Sequence, residues 1–126
     1  MLKNWASLTG EGTNAIDGDA IRRRVGTVGT ASPLFSIERI LKTIREDLES
    51  DDTTTVDFIE FGEAAADVVA SLREVDFLAY SAIFSDPSGN VGRPGESSAD
   101  YLIKTKKALE VTLRQYKAML ASLSLE

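Results

Sequence analysis

The chain of 126 residues contains neither cysteine nor histidine. Without cysteine there are no disulfides and no thiol chemistry. Without histidine as well, zinc sites of the usual ligand type and the commonest general base are excluded. Proline is confined to Pro33, Pro87 and Pro94, so few places oblige a helix to start or break. No apolar run approaches the ~18 residues of a membrane span, and no basic start followed by an apolar stretch marks a signal peptide. The chain is therefore expected to be cytosolic, or the mature form of something already delivered. A basic surplus is missing too, and at a net charge of -6 nucleic acid is a poor partner.

What is present fits one all-α domain. Apolar residues are 43% and charged residues 27%, ordinary globular usage, and the length suffices to bury one core. The clearest signal lies at 54–85, where Phe58, Phe61, Ala65, Val68, Leu72, Val75, Ala79 and Ala82 follow at steps of three and four. That spacing predicts one long helix buried along a seam. Thr54 with Asp57 reads as its cap, and Gly62 implies a close helix approach or a slight bend.

The remaining elements are predicted around it. Residues 1–13 read as a flexible arm containing Trp5. A short helix is expected at 14–25, with Asn14 as cap and Gly26 as stop. Ser32 and Pro33 start a helix at 33–49, whose apolar stripe is Leu34, Ile37, Leu41, Ile44 and Leu48, widened by Phe35 and Ile40. The loop DPSGNVGRPGE leads to a last helix at 97–123, capped by Ser97 with Asp100. Its apolar face is Leu102, Leu109, Leu113, Tyr116, Leu120 and Leu123. Four such helices joined by short or medium loops predict an up-down-up-down four-helix bundle. Charge agrees with a pairing of the last two: residues 53–90 carry one basic and seven acidic groups, whereas 91–126 carry six and four.

Three features are candidates for function. The acidic residues Glu46, Asp47, Glu49, Asp51, Asp52, Asp57 and Glu60 gather at one end and have the oxygen ligands of a hard-cation site. They lack the spacing and turning glycine of a calcium loop, and capping explains acids near a helix start, so no metal is assigned. Arg22, Arg23 and Arg24 form the only run of basic residues. Three consecutive arginines fan around most of a helix, so dipole complementarity does not account for all of them, and they are taken as a patch for an acidic protein surface. Tyr80, Tyr101, Tyr116 and Met119 are read as core or rim. With no Glu-x-x-His repeat and no phosphate cradle, the chain is expected to have no catalytic residue and no cofactor.

The short basic helix, the acidic helix FIEFGEAAADVVASL, the loop SDPSGNVGRPGES and the final helix DYLIKTKKALEVTLRQYKAML together resemble the PsbQ-like extrinsic proteins of photosystem II, most of all the diatom member. The resemblance covers most of the chain from about Asn14 onward. It implies a non-catalytic protein of the chloroplast thylakoid lumen, peripheral to the membrane without insertion and monomeric when free. Its implied partners are the photosystem II core and the other extrinsic subunits, where it would help retain the calcium and chloride of the oxygen-evolving manganese cluster. Plant members carry a proline-rich arm and a basic surface that this chain does not, so the docking role of Arg22, Arg23 and Arg24 rests on charge alone. The competing expectation is a cytosolic scaffold or regulatory bundle that binds a partner helix.

Overall fold

The computed structural model describes residues 2–11, 17–84 and 97–123, and these are all-helical. A 3₁₀ turn at Leu2–Asn4 leads into α1 (Trp5–Thr9). It is followed by α2 (Gly18–Val25), α3 (Ile37–Ser50), α4 (Phe58–Phe84) and α5 (Ser98–Ser122). No helix among the described residues is long and apolar enough to cross a membrane.

α4 is the common packing partner. Its contact with α5 is the most extensive, α2 and α3 each pack on it as well, and α1 packs on α2. The seam of α4 is buried at Phe61, Ala65, Val68, Leu72, Val75, Ala79 and Ala82, as its period requires; Phe58, at the exposed first turn, is half-buried. Against it lie Ile21 and Val25 of α2, Leu41 of α3, and Leu102, Leu109 and Met119 of α5. Ion pairs reach α4 from α2 (Arg22 with Asp76) and from α3 (Arg73 with Glu38, 2.8 Å).

Two glycines allow close approaches. A Cβ at Gly18 would lie 2.4 Å from the Ala79 carbonyl oxygen and 2.7 Å from Ile83 Cγ1, so α2 reaches the backbone of α4 only because Gly18 has no side chain. A Cβ at Gly62 would meet first the side chain of Arg45, at 2.9 Å from Nε and 3.0 Å from Cδ. The space at Gly62 is thus taken by a flexible side chain of α3 and not by the close helix approach expected there.

Several boundaries differ from expectation. The segment read as a flexible arm is helical over residues 2–9. Trp5 and Thr9 are buried, Thr9 Oγ1 donates to the Trp5 carbonyl (2.8 Å), and Gly10 closes α1 in the left-handed conformation. Asp17 N–H donates to the Thr9 carbonyl (2.8 Å), which ties this segment to α2. α2 is capped by Asp17, whose side chain accepts from the Ala20 N–H; Asn14, the predicted cap, lies outside the described residues.

α3 starts at Ile37 instead of Pro33. Residues 33–36 form tight turns with Ser36 at φ 60°, held by the Phe35 N–H donating to the Ser32 carbonyl (3.0 Å) and the Ile37 N–H to the Leu34 carbonyl (3.1 Å), and the Leu34–Phe35 backbone passes so near Gly26 that a Cβ there would lie 2.7 Å from it. α4 begins one turn after Thr54, since Asp57 Oδ1 accepts from the N–H groups of Ile59 (2.9 Å) and Glu60 (3.3 Å). At α5 the capping box of Ser97 and Asp100 forms in full.

The buried face of α5 also differs. Leu102, Thr105, Leu109, Thr112 and Met119 are buried, while Leu113 is exposed. The two threonine hydroxyls donate to the Tyr101 (2.6 Å) and Ala108 (2.8 Å) carbonyls, so each is satisfied within its own helix and turns its methyl group to the core.

The two glycines give opposite predictions. Gly18→Ala is expected to destabilise the fold by about 1–3 kcal/mol through overpacking against a carbonyl that cannot move aside. Gly62→Ala is expected to stabilise it by about 0.5–1 kcal/mol, because Arg45 can swing away and alanine favours helix. Urea midpoints should move in opposite directions, and an unmoved midpoint for Gly18→Ala would contradict the close crossing of α2 on α4.

A second prediction concerns pH. The Ser97 backbone N–H, and then its hydroxyl, hold the Asp100 carboxyl below the usual carboxylate range. A depressed folded-state value means that the cap's contribution is present above the ordinary aspartate pKa and is lost as pH falls through the lowered one. Amide exchange at Ser97, Asp100 and Tyr101 should accelerate only in strong acid, and Asp100→Ala should abolish that response while leaving α5 frayed at neutral pH.

Candidate docking site

α2 has eight residues and uses them in three directions. Gly18, Ala20, Ile21 and Val25 are buried, and Gly26 closes the helix in the left-handed conformation (φ 87°), its N–H donating to the Arg22 carbonyl. The arginines occupy the rest of the circumference. A step of about 100° per residue prevents three consecutive side chains from sharing one environment.

Arg22 is turned inward. Its Nε donates to Asp76 Oδ1 at 2.7 Å, and an Nη lies 3.4 Å from Asp19 Oδ1. The hydroxyl of Thr27 donates to the same Asp76 oxygen at 2.5 Å. The guanidinium carbon sits 5.1 Å from the Tyr80 ring centroid, within cation–π range. The side chains of Arg22 and Asp76 are only 21% and 27% exposed, so the pair is partly shielded from solvent. The hydrogen bond to Asp76 raises the Arg22 pKa further, leaving the cation permanently charged.

Arg23 and Arg24 face outward. Arg23 is 3.6 Å from Asp17, but both side chains are more than half exposed and such a pair contributes little. Arg24 makes no ion pair among the described residues; its carbonyl accepts from the Ser32 hydroxyl at 2.5 Å, which holds the connector against α2. Together these two arginines line a surface hollow of about 550 Å³ whose other walls include Leu8, Ala20 and Pro33. Two cations beside an apolar floor suit an acidic segment carrying an apolar side chain.

The sequence reading missed a second feature of this end of the molecule. Phe77, Tyr80 and Phe84 are 61%, 47% and 71% exposed, and the rings of Tyr80 and Phe84 lie 4.7 Å apart between centroids. The signal was present: with Val75, Ala79 and Ala82 committed to the seam, positions 77, 80 and 84 fall on another stripe of α4. Tyr80 therefore belongs to the surface, whereas Tyr101 and Tyr116 are half-buried and Met119 is buried. Tyr80 links the two features, since its ring carries Arg22.

The acidic residues near the α3–α4 turn act on the backbone. Asp51 accepts from the Thr53 N–H (2.9 Å) and hydroxyl (2.6 Å), and the hydroxyl lowers its pKa most. Asp57 caps α4. Among the described residues no three acidic side chains converge as cation ligands would.

Asp76→Ala is expected to cost about 1–3 kcal/mol of stability, because it strips the partner from a shielded guanidinium and from Thr27. Arg23→Ala and Arg24→Ala should each stay within about 0.5 kcal/mol of the parent. Equal losses at all three sites in denaturant titrations would contradict the division of roles. Compared with known protein families, with curated proteins and with solved structures, the chain finds no match.

Proposed function

We propose that this chain is a PsbQ-like, non-catalytic extrinsic subunit of photosystem II, with α2 to α5 forming an up-down-up-down four-helix bundle. In this reading it sits on the lumenal face of the thylakoid membrane without insertion. It binds the photosystem core and other extrinsic subunits by surface contact, and it helps retain calcium and chloride at the manganese cluster. The protein is monomeric when free and supplies no ligand to the cluster.

The observation that carries the reading is the division of the basic run. One arginine is fixed on Asp76 and Tyr80, and the other two are held outward over an apolar hollow by the helix so anchored. On α4, exposed Phe77, Tyr80 and Phe84 supply the kind of aromatic side chain that dominates binding energy at protein interfaces. The order of helices and the placement of the loops supply the resemblance. Docking residues are accordingly Arg23 and Arg24, with Arg22 holding the surface that presents them. The competing reading, a cytosolic scaffold that takes a partner helix, draws on the same aromatic row.

Reconstitution separates the two. Photosystem II particles stripped by salt washing should rebind the protein and recover oxygen evolution. The double variant Arg23→Glu, Arg24→Glu should bind about tenfold more weakly with a shallower salt dependence, while its far-ultraviolet circular dichroism stays helical. Neither binding nor recovery with the parent protein would overturn the assignment. Full binding by the double variant would remove the arginine hollow from the interface.

A further inference from the structure

The outer face of α4 carries a second apolar stripe. Ile59, Ala66, Ala70, Phe77 and Phe84 follow at steps of seven, four, seven and seven, which keeps them on one line at about 3.5 residues per turn. All five are exposed, the three large ones at 58%, 61% and 71% in chain order. One edge of this line is acidic. At about 100° per residue, Glu63, Asp67 and Glu74 fall on a single flank of it, exposed and with no ion pair among the described residues. The other flank is already engaged, since Arg73 is paired with Glu38 of α3 and Tyr80 carries Arg22 of α2.

The period selects a helix as the occupant. From Ile59 to Phe84 the stripe runs roughly 37 Å along the axis, at about 1.5 Å per residue, and only a helix lying nearly along α4 stays on such a line. Ala66 and Ala70, beside a hollow of about 260 Å³ against α3, admit the occupant's backbone, and Phe77 and Phe84 reach between its turns. A second copy of this chain fits badly in either direction. Antiparallel, the two acidic flanks would face each other; parallel, Phe77 and Phe84 would meet their own equivalents and leave the alanines unfilled. The acidic flank also repels an anionic lipid surface.

We infer that the outer face of α4 binds an amphipathic helix of a partner protein, laid along Ile59 to Phe84, whose flank carries lysines or arginines opposite Glu63, Asp67 and Glu74. The inference rests on the exposed aromatics being an interface, whichever assembly they serve. This face shares no residue with the arginine hollow and attracts the opposite charge.

Fluorescence anisotropy of a labelled synthetic peptide, titrated with the full chain, tests it. The peptide has about 25 residues, enough to span the stripe as a helix, with leucine and alanine at the a and d positions of its heptads, lysine at e and g, and glutamine elsewhere. Saturable one-to-one binding is expected. Phe77→Ser with Phe84→Ser should weaken it more than tenfold. Glu63→Gln, Asp67→Asn and Glu74→Gln together should weaken it about three- to tenfold and flatten its salt dependence. All five positions are exposed, so circular dichroism should stay unchanged. A peptide with glutamate in place of lysine should bind at least tenfold more weakly, and Arg23→Glu with Arg24→Glu should bind the basic peptide no less tightly than the parent. Absence of saturable binding would overturn the inference, as would equal affinities for the basic and acidic peptides. A dimer in sedimentation that Phe77→Ser with Phe84→Ser dissociates would assign the stripe to a second copy and overturn it as well. The peptide is read without photosystem particles, so failure here and failure of reconstitution are separate results.

Discussion

An apolar seam running the whole length of a helix of 27 residues, roughly 40 Å, must be covered from end to end. Each large side chain along it is worth about 1.5–3 kcal/mol when buried, and none of that is gained by an isolated helix in water. The rest of the molecule is arranged by this requirement. α5 has 25 residues and matches the seam in length, so it takes the largest share. The shorter α2 and α3 cover what α5 leaves, and α1 closes over α2. Small residues at Ala65, Ala79 and Ala82 bring the neighbours near, and Gly18 removes the last side chain between α2 and the α4 backbone.

Apolar packing does not by itself settle how α2 lies on α4, because the contact is short. The polar group that does so is Asp76, one residue from the buried Val75. It takes Arg22 from within the helix and Thr27 from just beyond its end, and thus grips α2 on both sides of Gly26. A carboxylate held so close to the seam is costly to desolvate and is tolerated because it is paired and hydrogen-bonded. Its two donors come from one short stretch of chain, so the orientation of α2, and with it the direction of Arg23 and Arg24, is fixed at a single point.

How far this was legible in the sequence depends on whether a signal is local. The seam of α4 was, since a 3.6-residue period needs no knowledge of the partner. The cap of α5 was as well, because Ser97 and Asp100 satisfy each other. Thr54 and Asp57 look alike on paper yet do not behave alike: Asp57, three residues before Glu60, competes for the role of cap, and two further threonines favour extended backbone before it. On α5 the apolar pattern points to Leu113 and not to the buried Thr105 and Thr112, because a threonine's ability to hide its hydroxyl on its own helix is not apparent from hydropathy. The pairing of Arg22 with Asp76 was beyond reach, since 54 residues separate them and nothing in either neighbourhood names the other. The aromatic row was within reach, and required only asking what the seam left over.

The arginine run shows why a charge cluster in sequence is a poor unit of function. Its three members share a helix turn but meet three physical situations: a shielded carboxylate and an aromatic face, a solvent-screened aspartate, and an open hollow. The first confers rigidity, and the other two confer attraction at a distance, which is sensitive to salt. Reversing all three charges at once would mix these effects, because losing Arg22 frees Asp76 and releases the helix that presents the others. A docking surface built this way separates positioning from recognition within three consecutive residues, and only the outward pair can be altered without disturbing the fold that displays it.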